Sequence, residues 1–95
     1  MGAASFVTER TTERTAAEAF SAARQQAQYE RGHSGYTGTI AEKDKFIMLP
    51  LIEGMNAIDS AWEYTQRDPR VDDKWGPAGC IQTDTGFVFF GWASC

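Results

Sequence analysis

The chain has 95 residues, 42% of them hydrophobic and 23% charged, with a net charge of −4 at pH 7. That length fits a single domain over residues 1–95, and six Phe, three Trp and three Tyr can fill its core, which excludes extended disorder. The negative charge excludes nucleic-acid binding through a phosphate-neutralising patch, and no apolar run approaches the ~18–20 residues that span a bilayer.

In chain order, Ser5 to Arg10 reads as a first strand with Phe6 inward. Thr15-x-x-Glu18 fits a capping box, in which the threonine hydroxyl oxygen accepts from the Glu18 backbone N–H while the Glu18 side chain reaches back to the backbone N–H of Thr15. Ala16, Phe20, Ala23 and Ala27 then recur at helical spacing as a narrow face of mostly small side chains. Arg31 followed by Gly32 reads as the stop. Tyr36 to Glu42 has the Thr and Ile content of a strand, with Tyr36, Gly38, Ile40 and Glu42 on one side. Lys43-Asp44 would turn the chain into a further strand, Lys45 to Leu49, ended by Pro50.

A second helix starts at Asn56, a suitable N-cap, with Asp59 in its first turn. Ile58, Ala61, Trp62 and Thr65 fall on one expected packing face, and Asp68-Pro69 closes the helix. Two last strands, Gly79 to Thr83 and Gly86 to Ala93, flank a T-D-T-G turn. The expected order is β-α-β-β-α-β-β, an α+β domain built around an antiparallel sheet with two helices.

The last strand poses a packing problem. Phe87 and Phe89 point to one face, Val88, Phe90 and Trp92 to the other. Burying each such side chain is worth roughly 1.5–3 kcal/mol, so both faces need cover. Either the helices sit on both sides or a second subunit covers one of them; the sequence favours the subunit, and hence a homo-oligomer.

Residues 31–45, R-G-H-S-G-Y-T-G-T-I-A-E-K-D-K, concentrate the candidate chemistry. The Gly32, Gly35, Gly38 spacing is not a phosphate loop. Such loops lead from a strand into a helix N-terminus, whereas these glycines leave a helix. His33, the only histidine, follows a helix C-terminus whose dipole favours its cation, so it can meet an anion. Glu42 shares a strand face with Tyr36 as an inward carboxylate, and Lys43 sits at the charged turn. In Asp72-Asp73-Lys74-Trp75 a tryptophan stands beside charges, as contact residues for planar ligands or partner proteins do. The expected ligand-binding residues are therefore His33, Tyr36, Glu42, Lys43, Asp73 and Trp75.

One histidine with Cys80 and Cys95 makes neither a zinc set nor a disulfide framework, so no metal, cofactor or catalytic residue is expected. Cys80 should lie opposite Phe89 or Phe90 as a small core residue. Two alternatives remain open. A small enzyme would pair His33 with Cys80 or Glu42. An acidic inhibitor of a basic partner would use residues 53–75, where Glu53, Asp59, Glu63, Asp68, Asp72 and Asp73 outnumber Arg67, Arg70 and Lys74.

The segments G-Y-T-G-T-I-A-E-K (35–43), D-K-W-G-P-A-G-C-I (73–81) and F-F-G-W-A-S (89–94) resemble parts of small uncharacterised proteins of bacteria and their phages. The resemblance implies a phage or mobile-element accessory or counter-defence protein and transfers no site residue. With no secretory h-region after Met1, a cytoplasmic location is expected. The expectation carried forward is a non-catalytic binding protein for a small polar ligand or a partner protein, with no nucleic acid and no membrane among its partners.

Overall fold

The computed structural model describes residues 2–31 and 37–95. Strand β1 (Ala3–Arg10) leads into helix α1 (Ala16–Arg31), a 3₁₀ turn (Ile40–Glu42), β2 (Phe46–Met48), α2 (Ala57–Arg67), β3 (Ala78–Gln82) and β4 (Phe87–Ser94). The strands form one sheet in the order β1-β4-β3-β2. Strand β4 is antiparallel to β1 and β3, whereas β2 runs parallel to β3. The fold is α+β, but its sheet is mixed rather than purely antiparallel. The cause is α2: a crossover through a helix returns the chain to the end of the sheet where β2 began, so β3 must run the same way.

The expected strand from Tyr36 to Glu42 is not formed in its described part. Gly38 sits at φ 69°, a conformation that suits glycine, and Thr39 then caps a 3₁₀ turn by accepting from the Ala41 N–H at 3.2 Å. Local side-chain bonds to the backbone win over strand pairing here. The threonine cap of α1 is confirmed in half: Thr15 Oγ1 accepts from the Glu18 N–H at 3.2 Å, but its hydroxyl donates to Glu18 Oε1. The α2 cap matches fully, with Asn56 Oδ1 accepting from Asp59 N–H at 2.8 Å.

The two helices lie on opposite faces of the sheet. On one side the small face of α1 (Ala19, Phe20, Ala23, Ala27) meets Phe87, Phe89, Ala93, Cys80 and Phe6. Rings of Phe20, Phe46 and Phe89 pack there at centroid separations of 4.9 to 5.7 Å. On the other side Ala61 of α2 packs with Val88, Phe90, Ile81, Val71 and Leu49, and Tyr64 stacks on Phe90 at 5.8 Å. The Trp92 indole N–H donates to the Thr65 carbonyl, tying β4 to α2. The outer face of β4, for which the sequence favours cover by a second subunit, is thus covered within the chain.

The buried face of α2 is also rotated from the expected one. Ser60, Ala61 and Thr65 are buried, while Ile58 and Trp62 are each 38% exposed. Ser60 Oγ accepts from the Ile52 N–H, and the Tyr64 hydroxyl donates to the Pro50 carbonyl. These polar partners draw the helix toward residues 50–52, a preference that hydrophobic spacing does not record. No helix among the described residues is long and apolar enough to cross a membrane.

Gly79 lies opposite Phe90, whose ring occupies the space a Cβ at position 79 would need. Gly79→Ala is expected to lower unfolding stability by about 1–3 kcal/mol, read from urea midpoints; an unchanged midpoint contradicts the packing. Where β1 runs into α1, the Arg10 guanidinium forks onto the Glu13 carboxylate. Those hydrogen bonds, with one from the Thr12 hydroxyl, pull the Glu13 carboxyl from 4.5 down to about 2. A folded-state value below the unfolded one stabilises at pH above 4.5, and the gain is lost as pH falls toward 2. The stability difference between wild type and Glu13→Gln should therefore shrink across that window, and a pH-independent difference contradicts the clamp.

Candidate functional site

The loop from α2 to β3 is built by successive local constraints. Asp68 caps α2, and its carboxylate accepts from the Arg70 N–H and from the Arg70 guanidinium at 2.9 and 2.6 Å. These bonds hold the Asp68 carboxyl below its usual range. Val71 then plugs into the core beneath α2, fully buried. After it the chain emerges as Asp72-Asp73-Lys74-Trp75-Gly76, where Asp73 Oδ1 accepts from the Trp75 N–H at 2.9 Å.

Lys43 holds this loop from below. Only 2% of the residue is exposed, and its ammonium donates to the carbonyls of Asp73 (3.3 Å), Lys74 (3.2 Å) and Gly76 (2.8 Å). An ammonium carries three donors, so all of them are used. Burial pushes the Lys43 pKa down from 10.5, and the charges of Asp73 and Asp44 partly restore it. The sequence places Lys43 at an exposed charged turn; the structure makes it a buried strut. Desolvating a cation is costly unless its donors are matched, and three carbonyls match them here.

The strut leaves Trp75 outermost, 61% exposed, with the Lys74 ammonium 5.3 Å from its ring centre. Beside the loop lies a wide cleft of about 570 Å³ lined by Ala3, Asp72, Asp73, Lys74 and Trp92. The Lys74 side chain also reaches the Gly2 carbonyl at 3.4 Å, closing the cleft toward the start of β1.

Of the residues expected to bind a ligand, Lys43, Asp73 and Trp75 come together, brought 30 residues and more across the chain. Glu42 serves a neighbouring turn: its Oε2 accepts from the Thr37 N–H at 3.0 Å and the Thr37 hydroxyl at 2.8 Å. His33 and Tyr36 lie outside the described residues. Ala3 and Trp92 join the cleft without having been singled out. Trp92 reads from alternation as a core residue, and only the pairing of β4 with β1 sets its exposed margin beside Ala3.

Cys80 is fully buried opposite Phe89, and desolvation pushes its thiol up to about 12. A thiol held protonated in the core is a packing group, not a nucleophile. Among the described residues no group of three or more His, Cys, Asp or Glu could hold a metal ion. No protein-family model matches the chain, and neither a curated protein nor a solved structure does.

Lys43→Met keeps the length of the stem and removes the donors, leaving three carbonyls without their partner. It is expected to cost about 2–3 kcal/mol of stability and to speed proteolysis within residues 72–76. A variant with wild-type stability and wild-type cleavage contradicts the strut.

Proposed function

We propose that the chain is a non-catalytic recognition protein that binds a partner protein through the loop of residues 72–76. The observation that carries this reading is a fully matched, buried ammonium committed to holding a loop whose outermost side chain is a largely exposed tryptophan. Aromatic anchors that are ordered before contact lose little conformational entropy on binding, which is why tryptophans dominate interface energetics.

The chemistry favours a protein over a small polar ligand. Small-molecule sites enclose most of their ligand among apolar walls with a few convergent polar groups. The cleft beside Trp75 is wide and shallow, and its charged members Asp72, Asp73 and Lys74 sit at the rim, as in the polar border of a protein interface. With Asp72 and Asp73 both exposed, the complementary surface is basic around an apolar socket. This absorbs the acidic-inhibitor alternative into one surface. Catalysis by Cys80 is disfavoured by its burial, and Glu42 is engaged by Thr37.

Trp75→Ala tests the reading against a partner recovered by affinity capture from source extract. The variant should lose about 2 kcal/mol of binding, roughly 30-fold, at an unchanged melting temperature. Undiminished binding by the variant, or a small molecule that travels with the native chain in native mass spectrometry, contradicts it.

A further inference from the structure

Strand β1 forms one border of the sheet. All eight of its residues stay in register with β4, from Ala3 opposite Ser94 to Arg10 opposite Phe87, with no bulge. Just before the strand the Cys95 N–H donates to the Gly2 carbonyl at 3.3 Å, so Gly2 faces the end of β4. Antiparallel pairing alternates. Ala4, Phe6, Thr8 and Arg10 therefore also bond to β4, while Ala3, Ser5, Val7 and Glu9 turn their N–H and C=O groups outward. No described residue pairs with those outward groups. Sheet edges are ordinarily blunted by shortness, proline, bulges or charge. The opposite border follows that pattern, since β2 has three residues set between Lys45 and Pro50. β1 has no proline, and Glu9 is the one charge among its outward residues.

A second feature adjoins this border. Ser60 and Tyr64 bond residues 50–52, on the side of α2 next to β2. At 3.6 residues per turn, Ile58 and Trp62 lie about 160° round the helix from that pair, on the flank toward β1. Val7 packs against the α2 core from the same face of the sheet, half-buried, and Ile58 and Trp62 keep 38% of their surface in water. An apolar shelf thus overhangs the open main chain. A lone peptide strand could meet this shelf only with its own side chains. A second copy brings a matching flank. A two-fold axis normal to the sheet sets β1 antiparallel to β1 and turns one α2 flank toward the other. Charge permits this pairing. With Val7 on the axis, Glu9 faces Ser5 and Arg10 faces Ala4 of the second copy, so no like charges are opposed.

We propose that β1 is a self-association edge, along which two copies of the chain pair antiparallel about a two-fold axis through Val7. The two four-stranded sheets join into one, with Ile58 and Trp62 of each copy packed over the junction. About ten residues of each copy take part, the eight of β1 with Ile58 and Trp62, against the 20–30 a side of a standard interface. The pair is therefore transient: it forms above about 100 µM, and micromolar chain is monomeric. β4, covered on both faces within one chain, owes none of its burial to this contact. No residue of the loop 72–76 takes part, so the test stands apart from that of the loop.

Sedimentation equilibrium and amide NMR of the intact chain, from about 10 µM to about 1 mM, test the pairing. The mass should rise from 10.5 kDa toward twice that value. The amides of Ala3, Ser5, Val7 and Glu9 and the indole of Trp62 should shift with concentration. Ser5→Pro removes one outward N–H at an edge position that tolerates proline, and should weaken association about tenfold. Trp62→Gln alters only a part-exposed side chain and should weaken it similarly; circular dichroism checks that each variant folds. Three results overturn the proposal: a 10.5 kDa species at every concentration, which leaves the border to a different protein; concentration-dependent shifts that spare β1; or undiminished association of either folded variant.

Discussion

Strand β4 carries Phe87, Phe89 and Ala93 on one face and Val88 and Phe90 on the other, and all five are 5% exposed or less. Each large side chain among them would forfeit roughly 1.5–3 kcal/mol in water, so neither face can be left open. The architecture follows. The strand must be central in its sheet, one helix must lie on each side, and both helices need small residues where they approach it. Ala19, Ala23 and Ala27 do this on α1, and Ala61 does it on α2. A helix on the second face also dictates the parallel β2–β3 pair, because α2 is the crossover between those strands.

The same frame positions the loop proposed for recognition. α2 ends at Asp68, Val71 is drawn into the core against β4, and the chain must then travel back to open β3 at Ala78. The residues between are too exposed to be held by packing. Lys43 supplies the missing constraint, reaching from the far side of the sheet to three carbonyls of that loop. A buried charge in this role is demanding: leaving any of the three acceptors unmatched costs more than an ordinary lost hydrogen bond. The tryptophan it supports is thereby displayed on a backbone hydrogen-bonded to a buried ammonium.

Much of the fold was legible from residue order. The N-cap at Asn56, the small face of α1, the hairpin between Thr83 and Gly86 and the placement of Cys80 opposite Phe89 all rest on local rules that the structure obeys. What was not legible depends on contacts between distant residues. The direction of β2 relative to β3 is set by where α2 lands. The rotation of α2 comes from Ser60 and Tyr64 bonding residues 50–52. The Thr39 cap defeats a segment whose composition favours a strand. For the site, charge and aromaticity pointed to Asp73 and Trp75, but a lysine in an E-K-D-K run carries no local sign that it will be buried.

Residue-resolved hydrogen exchange at several protein concentrations tests the central claim most directly. If α2 of the same chain covers the second face of β4, the amides from Val88 to Ala93 will exchange only through global unfolding, with protection that does not change on dilution. Protection that falls as the protein is diluted would show that a second subunit, and not α2, keeps water from Val88 and Phe90, and would contradict the account.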